Sequence, residues 1–185
     1  KNNYNIAIGY YSKCLILDEN FLLARLNLVL NLIKNKEYDT ALPHVKYLDK
    51  KLLNCKERVR NKILYITVLL NLDKYDEALS IANSEKNKIS RLLARINVLP
   101  IIYKSQSELN LIRERWVKDL NSLYKLTKEE NIDYEYLEEI NSFLWETSNF
   151  FLCYQMKNDK NIQKLYCDIL EIILRKKYDP LFSNI

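Results

Sequence analysis

One five-residue pattern occurs three times in this chain: a tyrosine, two variable residues, an alanine and an apolar residue. Its copies begin at Tyr4, Tyr38 and Tyr75, so they start 34 and 37 residues apart. A repeat of about this period, with an alanine three positions after a tyrosine, is typical of stacked pairs of antiparallel helices. The small alanine lets two helices approach closely, and the tyrosine ring fills the space beside the turn between them. The pattern therefore predicts an array of helical hairpins.

Composition supports the same fold class. The 185 residues are 48% hydrophobic, enough for a sizeable core, and include a single glycine and three prolines. So few turn-forming residues disfavour sheets and phosphate-binding loops. We therefore predict an all-α protein in which helical hairpins (an α-solenoid) continue into a bundle of longer helices. The predicted domains are 1–87, which holds the hairpins, and 88–185, which holds the longer helices.

Periodicity predicts the individual helices. Residues 2–18 form one helix, and residues 21–52 and 56–84 each form a hairpin. Pro43 is placed in about the first turn of its helix, where its missing N–H costs little. Ser105, with Glu108 three positions later, is typical of a helix N-terminus. Asp179-Pro180 is predicted to end the last helix.

Charge and cysteine content argue against several kinds of site. The net charge is +5, with basic and acidic residues interleaved, which favours a solvated surface over nucleic-acid binding. The four cysteines include no C-x-x-C pair and the chain has one histidine, which argues against a metal site. The cysteines are instead expected to be reduced thiols in a cytoplasmic protein. No apolar run reaches the roughly 18 residues that span a bilayer, so no membrane partner is expected.

The hairpins resemble tetratricopeptide repeats. The first predicted helix closes with L-x-L-D-x-N, with Glu19 where the family usually has proline. It is similar to the second helix of such a repeat, whose first helix the sequence lacks. We therefore expect a piece of a longer protein. We also expect an apolar face of the first helix, around Ile6 and Tyr10, to be exposed and to cause self-association.

A second resemblance covers residues 99–182. The order L-P-I-I-Y-x-S-x-x-E…R-x-R-W, then N-F-F-L-C-Y-Q-x-x-N-D-x-x-x-Q-x-x-Y, then K-Y-D-P-L-F, resembles the helical connector of bacterial SPINDLY-type proteins, homologues of O-linked N-acetylglucosamine transferase. The resemblance rests on Leu99, Pro100, Ile102, Tyr103, Glu108, Arg113, Arg115, Asn149, Phe150, Tyr154, Gln155, Asn158, Asp159, Gln163 and Tyr166. It implies a longer protein with a nucleotide-sugar transferase domain, which would use a nucleotide sugar. The sequence shows no catalytic motif, so neither catalytic residues nor a cofactor are expected in this chain.

The resemblance to tetratricopeptide repeats also implies a concave face lined by the first helix of each hairpin. The residues expected there to bind a protein or peptide are Asn27, Arg60, Thr67 and Asn71. Asn27 occupies the position of the asparagine ladder that holds a peptide backbone in the transferase family, since an amide both donates and accepts. The next hairpin has Leu64 there, which breaks the ladder. The alternative is that these are ordinary solvated side chains.

Polar residues in the second half have two interpretations. Asn149, Tyr154, Gln155, Asn158 and Asp159 either fix a helix junction or dock the absent catalytic domain. Two further groups of charged residues are either functional sites or ordinary surface residues that are solvated or paired with neighbouring charges. One is Arg113 and Arg115 beside Trp116, as a cationic ledge, and the other is the acidic run Asp133, Glu135, Glu138 and Glu139.

Three functions remain open from sequence. The preferred one is a non-catalytic interaction and connector region that presents protein substrates to a downstream O-glycosyltransferase domain. The second assigns the sugar transfer itself to the parent protein. The third is a free-standing tetratricopeptide scaffold with no enzymatic domain.

Overall fold

The computed structural model describes residues 3–52, 55–129, 132, 137 and 149–182, without the side chains of residues 55, 56, 149–151 and 180–182. Throughout these residues every regular element is helical, with eight α-helices, one 3-10 turn and no strand. The chain divides into two compact units, Lys1–Ile81 and Ala82–Ile185. The all-α prediction is confirmed for the described residues.

The first unit is a succession of helices joined by short turns. They are α1 (Tyr4–Leu17), α2 (Leu22–Lys34), α3 (Tyr38–Lys51), α4 (Cys55–Asn71) and α5 (Tyr75–Asn83). The boundary between the units falls inside α5. Contacts join α1 to α2, α2 to α3 and α3 to α4, and α2 also contacts α4. Contact between alternate helices is what a stack of hairpins requires.

The turns after α2 and α4 have the same geometry, 37 residues apart. Lys36 and Asp73 adopt left-handed backbone angles, with φ of 63° and 57°. After α2, the N–H of Glu37 donates to the carbonyl of Leu32 at 2.9 Å, and that of Lys36 to Ile33 at 3.0 Å. After α4, the equivalent bonds run from Lys74 to Leu69 at 2.8 Å and from Asp73 to Leu70 at 3.2 Å. Both are Schellman turns, although neither contains the usual glycine.

Buried positions repeat with the same spacing. Ala41 and Ala78, the alanines of the repeated pattern, are both 0% exposed. So are Leu32 and Leu69, at the last turn of the preceding helices. An alanine at 0% exposure lies where a larger side chain would force the helices apart. The repeated sequence pattern thus corresponds to repeated packing between helices.

Two prolines lie deeper in their helices than predicted. Pro43 is the sixth residue of α3, so it lies in the second turn and not the first. It therefore removes an N–H that would otherwise bond within the helix, and its ring stays exposed. Pro180 does not end the last helix, which runs from Lys160 to Phe182. Pro43 thus lies just beyond the predicted first turn, and the predicted end of the last helix at Asp179-Pro180 was wrong.

The second unit is built around a long central helix. Its elements, among the described residues, are α6 (Lys88–Ile96), α7 (Gln106–Lys128), the 3-10 turn Asn149–Gln155 and α8 (Lys160–Phe182). Both α6 and α8 contact α7. The predicted cap of α7 is confirmed, since Ser105 Oγ accepts from the N–H of Glu108 at 3.1 Å. The indole of Trp116, on α7, is 1% exposed and lies in the core of this unit.

Candidate functional site

The candidate binding face of the first unit is formed by α2 and α4, and we call it the α2/α4 face. These helices contact each other, and positions 37 residues apart lie at equivalent places on them. Arg60 and Asn71 are exposed, and Asn27 and Thr67 are half-buried. The sequence-predicted partner residues are therefore all at least partly accessible. The apolar residue equivalent to Arg60 is Leu23, which is 58% exposed.

Some of the polar capacity of the α2/α4 face is used within the helices. Thr67 Oγ1 donates to the carbonyl of Ile63 at 2.9 Å, and Asn71 Nδ2 donates to the carbonyl of Thr67 at 2.9 Å. On α2, Asn31 Nδ2 donates to the carbonyl of Asn27 at 2.8 Å. A threonine hydroxyl has one proton, so Thr67 can offer a ligand only acceptor lone pairs in this geometry. Asn71 retains a second donor and its carbonyl oxygen.

The face also has a positive electrostatic character. The sequence of α2 contains no acidic residue, and that of α4 contains only Glu57. The exposed cations are Lys34, at the end of α2, and Arg60, near the start of α4. Leu23 and the half-buried Leu30 add apolar surface. The face can therefore hold an extended chain by amide hydrogen bonds, apolar contact and positive charge.

A buried arginine joins α2 to α3, and sequence reasoning missed it. Arg25 is 7% exposed and its guanidinium lies 3.9 Å from the centre of the Tyr47 ring. Arg25 Nη2 donates to the carbonyl of Glu19 at 2.7 Å. Arg25 Nη1 lies 2.9 Å from His44 Nδ1, and since a guanidinium cannot accept, the imidazole accepts. An arginine in the apolar stripe of one helix, with a histidine and a tyrosine on the second helix of the same hairpin, was the available signal.

Burial, and then the charge of Arg25, lower the pKa of His44 below 6.5. Both causes favour the neutral imidazole. This agrees with the hydrogen bond, because only an unprotonated Nδ1 can accept from Arg25. The Arg25–His44–Tyr47 cluster thus joins the two helices of this hairpin, with Arg25 buried and the two rings half-buried.

A second ionic contact joins α3 to α4. Lys62 is 6% exposed, and its Nζ lies 3.1 Å from Asp49 Oδ1. Burial, together with the negative charges of Asp49 and Glu77, raises the pKa of the nearby Tyr65 phenol. Removing one partner of a buried ion pair leaves the other charge uncompensated, which is strongly destabilising. The pair therefore links α3 to α4, with the Lys62 side chain 8% exposed and that of Asp49 25% exposed.

In the second unit, several residues of the connector resemblance are brought together. Arg113 Nη1 donates to Gln155 Oε1 at 2.8 Å, and Arg113 Nη2 contacts Asp159 Oδ1. Gln155 Nε2 donates to the Tyr103 hydroxyl at 2.6 Å. Gln155 itself is 4% exposed. This Arg113–Gln155 network ties α7 to the loop before it and to the segment that leads into α8.

The remaining connector residues differ in position. Asn158 is exposed, and its Oδ1 accepts from the N–H of Lys160 at 3.1 Å, at the start of α8. Tyr154 is 65% exposed. The side chain of Asn149 lies outside the described residues, as does the acidic run Asp133, Glu135, Glu138 and Glu139. Gln155 and Asp159 thus make contacts inside the unit, while the ring of Tyr154 faces solvent.

Arg115 and Trp116 donate hydrogen bonds to backbone carbonyls at the C-terminal end of α6. Arg115 Nη1 donates to the carbonyl of Arg95 at 2.8 Å, and Nη2 donates to the carbonyl of Val98. Trp116 Nε1 donates to the carbonyl of Ile96 at 2.7 Å. The last carbonyls of a helix lack partners within it, so these donors act as a C-terminal cap. Arg115 also forms an ion pair with Asp119 at 3.3 Å, which agrees with the paired-surface alternative given above for this group of residues.

The cationic ledge proposed as the other alternative does not form. Arg113 and Arg115 are both engaged in ion pairs, and their side chains are 14% and 15% exposed. Their charges therefore serve the interior of the unit. In the R-x-R-W motif, Arg113 contacts the segment that leads into α8, whereas Arg115 and Trp116 contact α6.

Among the described residues, no group of three or more histidine, cysteine, aspartate and glutamate side chains could hold a metal ion. Within the same part of the chain, no helix combines the length and hydropathy needed to cross a bilayer.

Comparison with known proteins finds no related protein. No protein-family model, curated protein or solved structure matches this chain.

Proposed function

We propose that this chain is a non-catalytic protein-interaction and connector region whose α2/α4 face binds extended segments of protein. The observation that carries the proposal is the 37-residue repeat in turn geometry and buried positions. It places two equivalent helices side by side. Stacked helical hairpins form continuous surfaces that suit extended ligands. The side-chain amides of Asn27 and Asn71 can form hydrogen bonds with the backbone of a peptide whatever its side chains are.

The resemblance to SPINDLY-type connectors extends the proposal. It implies tetratricopeptide repeats and a downstream nucleotide-sugar transferase domain to which the bound proteins would be presented, and the cysteine content favours a cytoplasmic setting. The Arg113–Gln155 network supports the connector part, because residues quoted for the resemblance hold the second unit together. The alternative is a free-standing scaffold with the same binding face and no catalytic partner.

Peptide binding tests the first part of the proposal. Fluorescein-labelled, unstructured peptides rich in serine and threonine are titrated with the chain and followed by fluorescence anisotropy. We expect micromolar binding that weakens about tenfold in the double variant Asn27→Ala and Arg60→Ala, since each contact contributes about 0.5–1.5 kcal/mol. Lys46→Ala, an exposed cation on α3, is the matched control and leaves binding unchanged.

The coding sequence beyond Ile185 tests the second part. A nucleotide-sugar transferase domain there supports the connector role. A stop codon directly after Ile185 would leave the free-standing scaffold. Equal binding by wild type and the double variant would refute the α2/α4 face whichever result the coding sequence gives.

A further inference from the structure

The two helices of the α2/α4 face present equivalent rows of side chains. Over residues 23–34 and their equivalents 60–71, the degree of burial (buried, half-buried or exposed) agrees at every position except Asn31 and Val68. Leu23 and Arg60 are one of these equivalent pairs, and both are exposed in the N-terminal half of their helices. The two side chains are therefore neighbours across the face, at the same level along the two helices.

Leu23 provides exposed apolar surface on this face. It is 58% exposed. The other exposed large apolar residues of the first unit, among them Ile6 at 56% and Tyr10 at 65% as the sequence predicted, lie on α1 or in the turn after it. Among the described side chains of α2 and α4, Leu23 is thus the exposed large apolar residue. An apolar side chain of a ligand that packs on Leu23 would remove this surface from water.

Arg60 provides a cation that the fold leaves unused. Its side chain is exposed, and within the described part of the chain it forms no hydrogen bond or ion pair. Arg25, Arg113 and Arg115, by contrast, all donate to groups of the fold. The Arg60 guanidinium is therefore available to a ligand, and its planar fork matches the two oxygens of a carboxylate.

The charges around Arg60 also favour an acidic ligand. No acidic residue occurs on α2, and Glu57, the acidic residue of α4, lies one turn before Arg60. The described side chains of Glu57 and Arg60 form no ion pair. Lys34, at the far end of α2, adds a second exposed cation, and its Nζ lies 5.9 Å from the centre of the Tyr4 ring. The cations of the face thus outnumber its acidic residues.

The spacing of Leu23 and Arg60 matches one conformation of an extended ligand. Packed helices lie about 8–10 Å apart, so the two side chains begin about that far from each other. In a polyproline II helix, residues three positions apart point the same way and lie about 9 Å apart. In a β-strand, residues on one side lie about 7 Å or about 13 Å apart. Polyproline II is also a major conformer of unfolded chains, so an unstructured segment can adopt it readily.

We propose that the α2/α4 face selects segments in which an apolar side chain and a carboxylate lie three positions apart in polyproline II conformation. The apolar side chain packs on Leu23, and the carboxylate pairs with Arg60. Either order of the two satisfies the spacing, and the order sets the direction of the bound segment. Asn27, one turn after Leu23, can bond the backbone of the segment. The inference rests on the function proposed above and specifies the class of segment that is bound.

Fluorescence anisotropy with designed peptides tests this selection. The host is an unstructured, fluorescein-labelled peptide of serine, threonine and proline that contains one leucine and one glutamate three positions apart, in either order. One control peptide has the same composition with the two residues adjacent, and another has lysine in place of glutamate. We expect the better order to bind about fivefold more tightly than the adjacent control, because that control can make only one of the two contacts. The lysine peptide should bind about tenfold more weakly, since repulsion replaces attraction.

Substitutions on the face assign the two contacts. Arg60→Glu should reverse the charge preference, so that the lysine peptide binds more tightly than the glutamate peptide. Leu23→Ser should weaken both peptides about threefold and keep the preference for glutamate. Lys46→Glu reverses a charge at an exposed position of α3 and is the matched control, which should leave all affinities unchanged. Far-UV circular dichroism checks that each variant keeps its helix content.

Three results would overturn the proposal, and they distinguish it from the function on which it rests. Equal binding of all the peptides, unchanged in Arg60→Glu but weakened in Asn27→Ala, would leave a peptide-binding face without this selection. A preference for glutamate at both spacings that persists in Arg60→Glu would indicate unspecific charge attraction. No binding of any peptide at hundreds of micromolar would refute the selection and the proposed function together.

Discussion

The two Schellman turns predict that glycine stabilises the chain at Lys36 and at Asp73. Both residues have positive φ, which costs an ordinary L-residue about 1–2 kcal/mol. Glycine removes that cost but adds about 0.5–1 kcal/mol of conformational freedom to the unfolded chain. The net gain for Lys36→Gly is therefore about 0.5–1 kcal/mol. Asp73→Gly should gain less, because aspartate tolerates the left-handed region better than lysine does.

The assay is urea unfolding followed by far-UV circular dichroism, together with thermal unfolding. If the first unit unfolds separately, about 1 kcal/mol raises its midpoint by roughly 4–8 °C. Lys46→Gly is the matched control, since Lys46 is exposed in the interior of α3 and glycine there should cost about 1 kcal/mol. A loss of stability in Lys36→Gly as large as that in Lys46→Gly would refute the turn geometry. Non-additivity of the two turn variants would contradict independent, equivalent repeats.

Two further predictions concern half-buried polar side chains that join helices. The pKa of His44 is lowered in the folded state, so the unfolded chain binds the proton more readily. The contribution of neutral His44 to the free energy of unfolding is therefore complete above pH 6.5, and it declines as the pH falls towards the pKa of His44 in the folded chain. His44→Gln keeps an acceptor for Arg25 and cannot titrate. Urea unfolding at neutral and at mildly acidic pH should therefore show that this variant loses less stability on acidification than wild type does. An identical loss in the two proteins would contradict the hydrogen-bond assignment. Arg115→Lys should lose about 2–3 kcal/mol, because one ammonium cannot replace the guanidinium bonds to two carbonyls of the α6 end and to Asp119. Arg175→Lys, in an exposed pair with Glu171, should change the free energy of unfolding by under about 1 kcal/mol, and equal effects in the two lysine variants would contradict the capping role.

The helical class followed from sequence because its signals are local. The Y-x-x-A pattern marks α3 and α5, and the Ser105 cap marks the start of α7, since spacing and capping depend on nearby residues. The left-handed geometry of the turns at Lys36 and Asp73 was not predicted. A left-handed residue without glycine carries no strong sequence signal.

The long-range polar contacts could not be predicted from sequence. Arg113 and Gln155 are 42 residues apart, and Arg25 and His44 are 19 apart. Which polar side chains meet across helices depends on packing that single-sequence periodicity does not specify. The partner residues on the α2/α4 face were predicted from repeat register. Their role in binding remains a prediction.

The most direct test of the account is to map where a bound peptide contacts the chain. Backbone amide chemical shifts are recorded for the ¹⁵N-labelled chain while an unstructured serine- and threonine-rich peptide that binds it is added. We predict that the largest changes fall on α2 and α4, around Asn27, Arg60, Thr67 and Asn71. Changes confined to α7 and α8, or none at saturating peptide, would contradict the proposal that the repeated hairpins form the binding face.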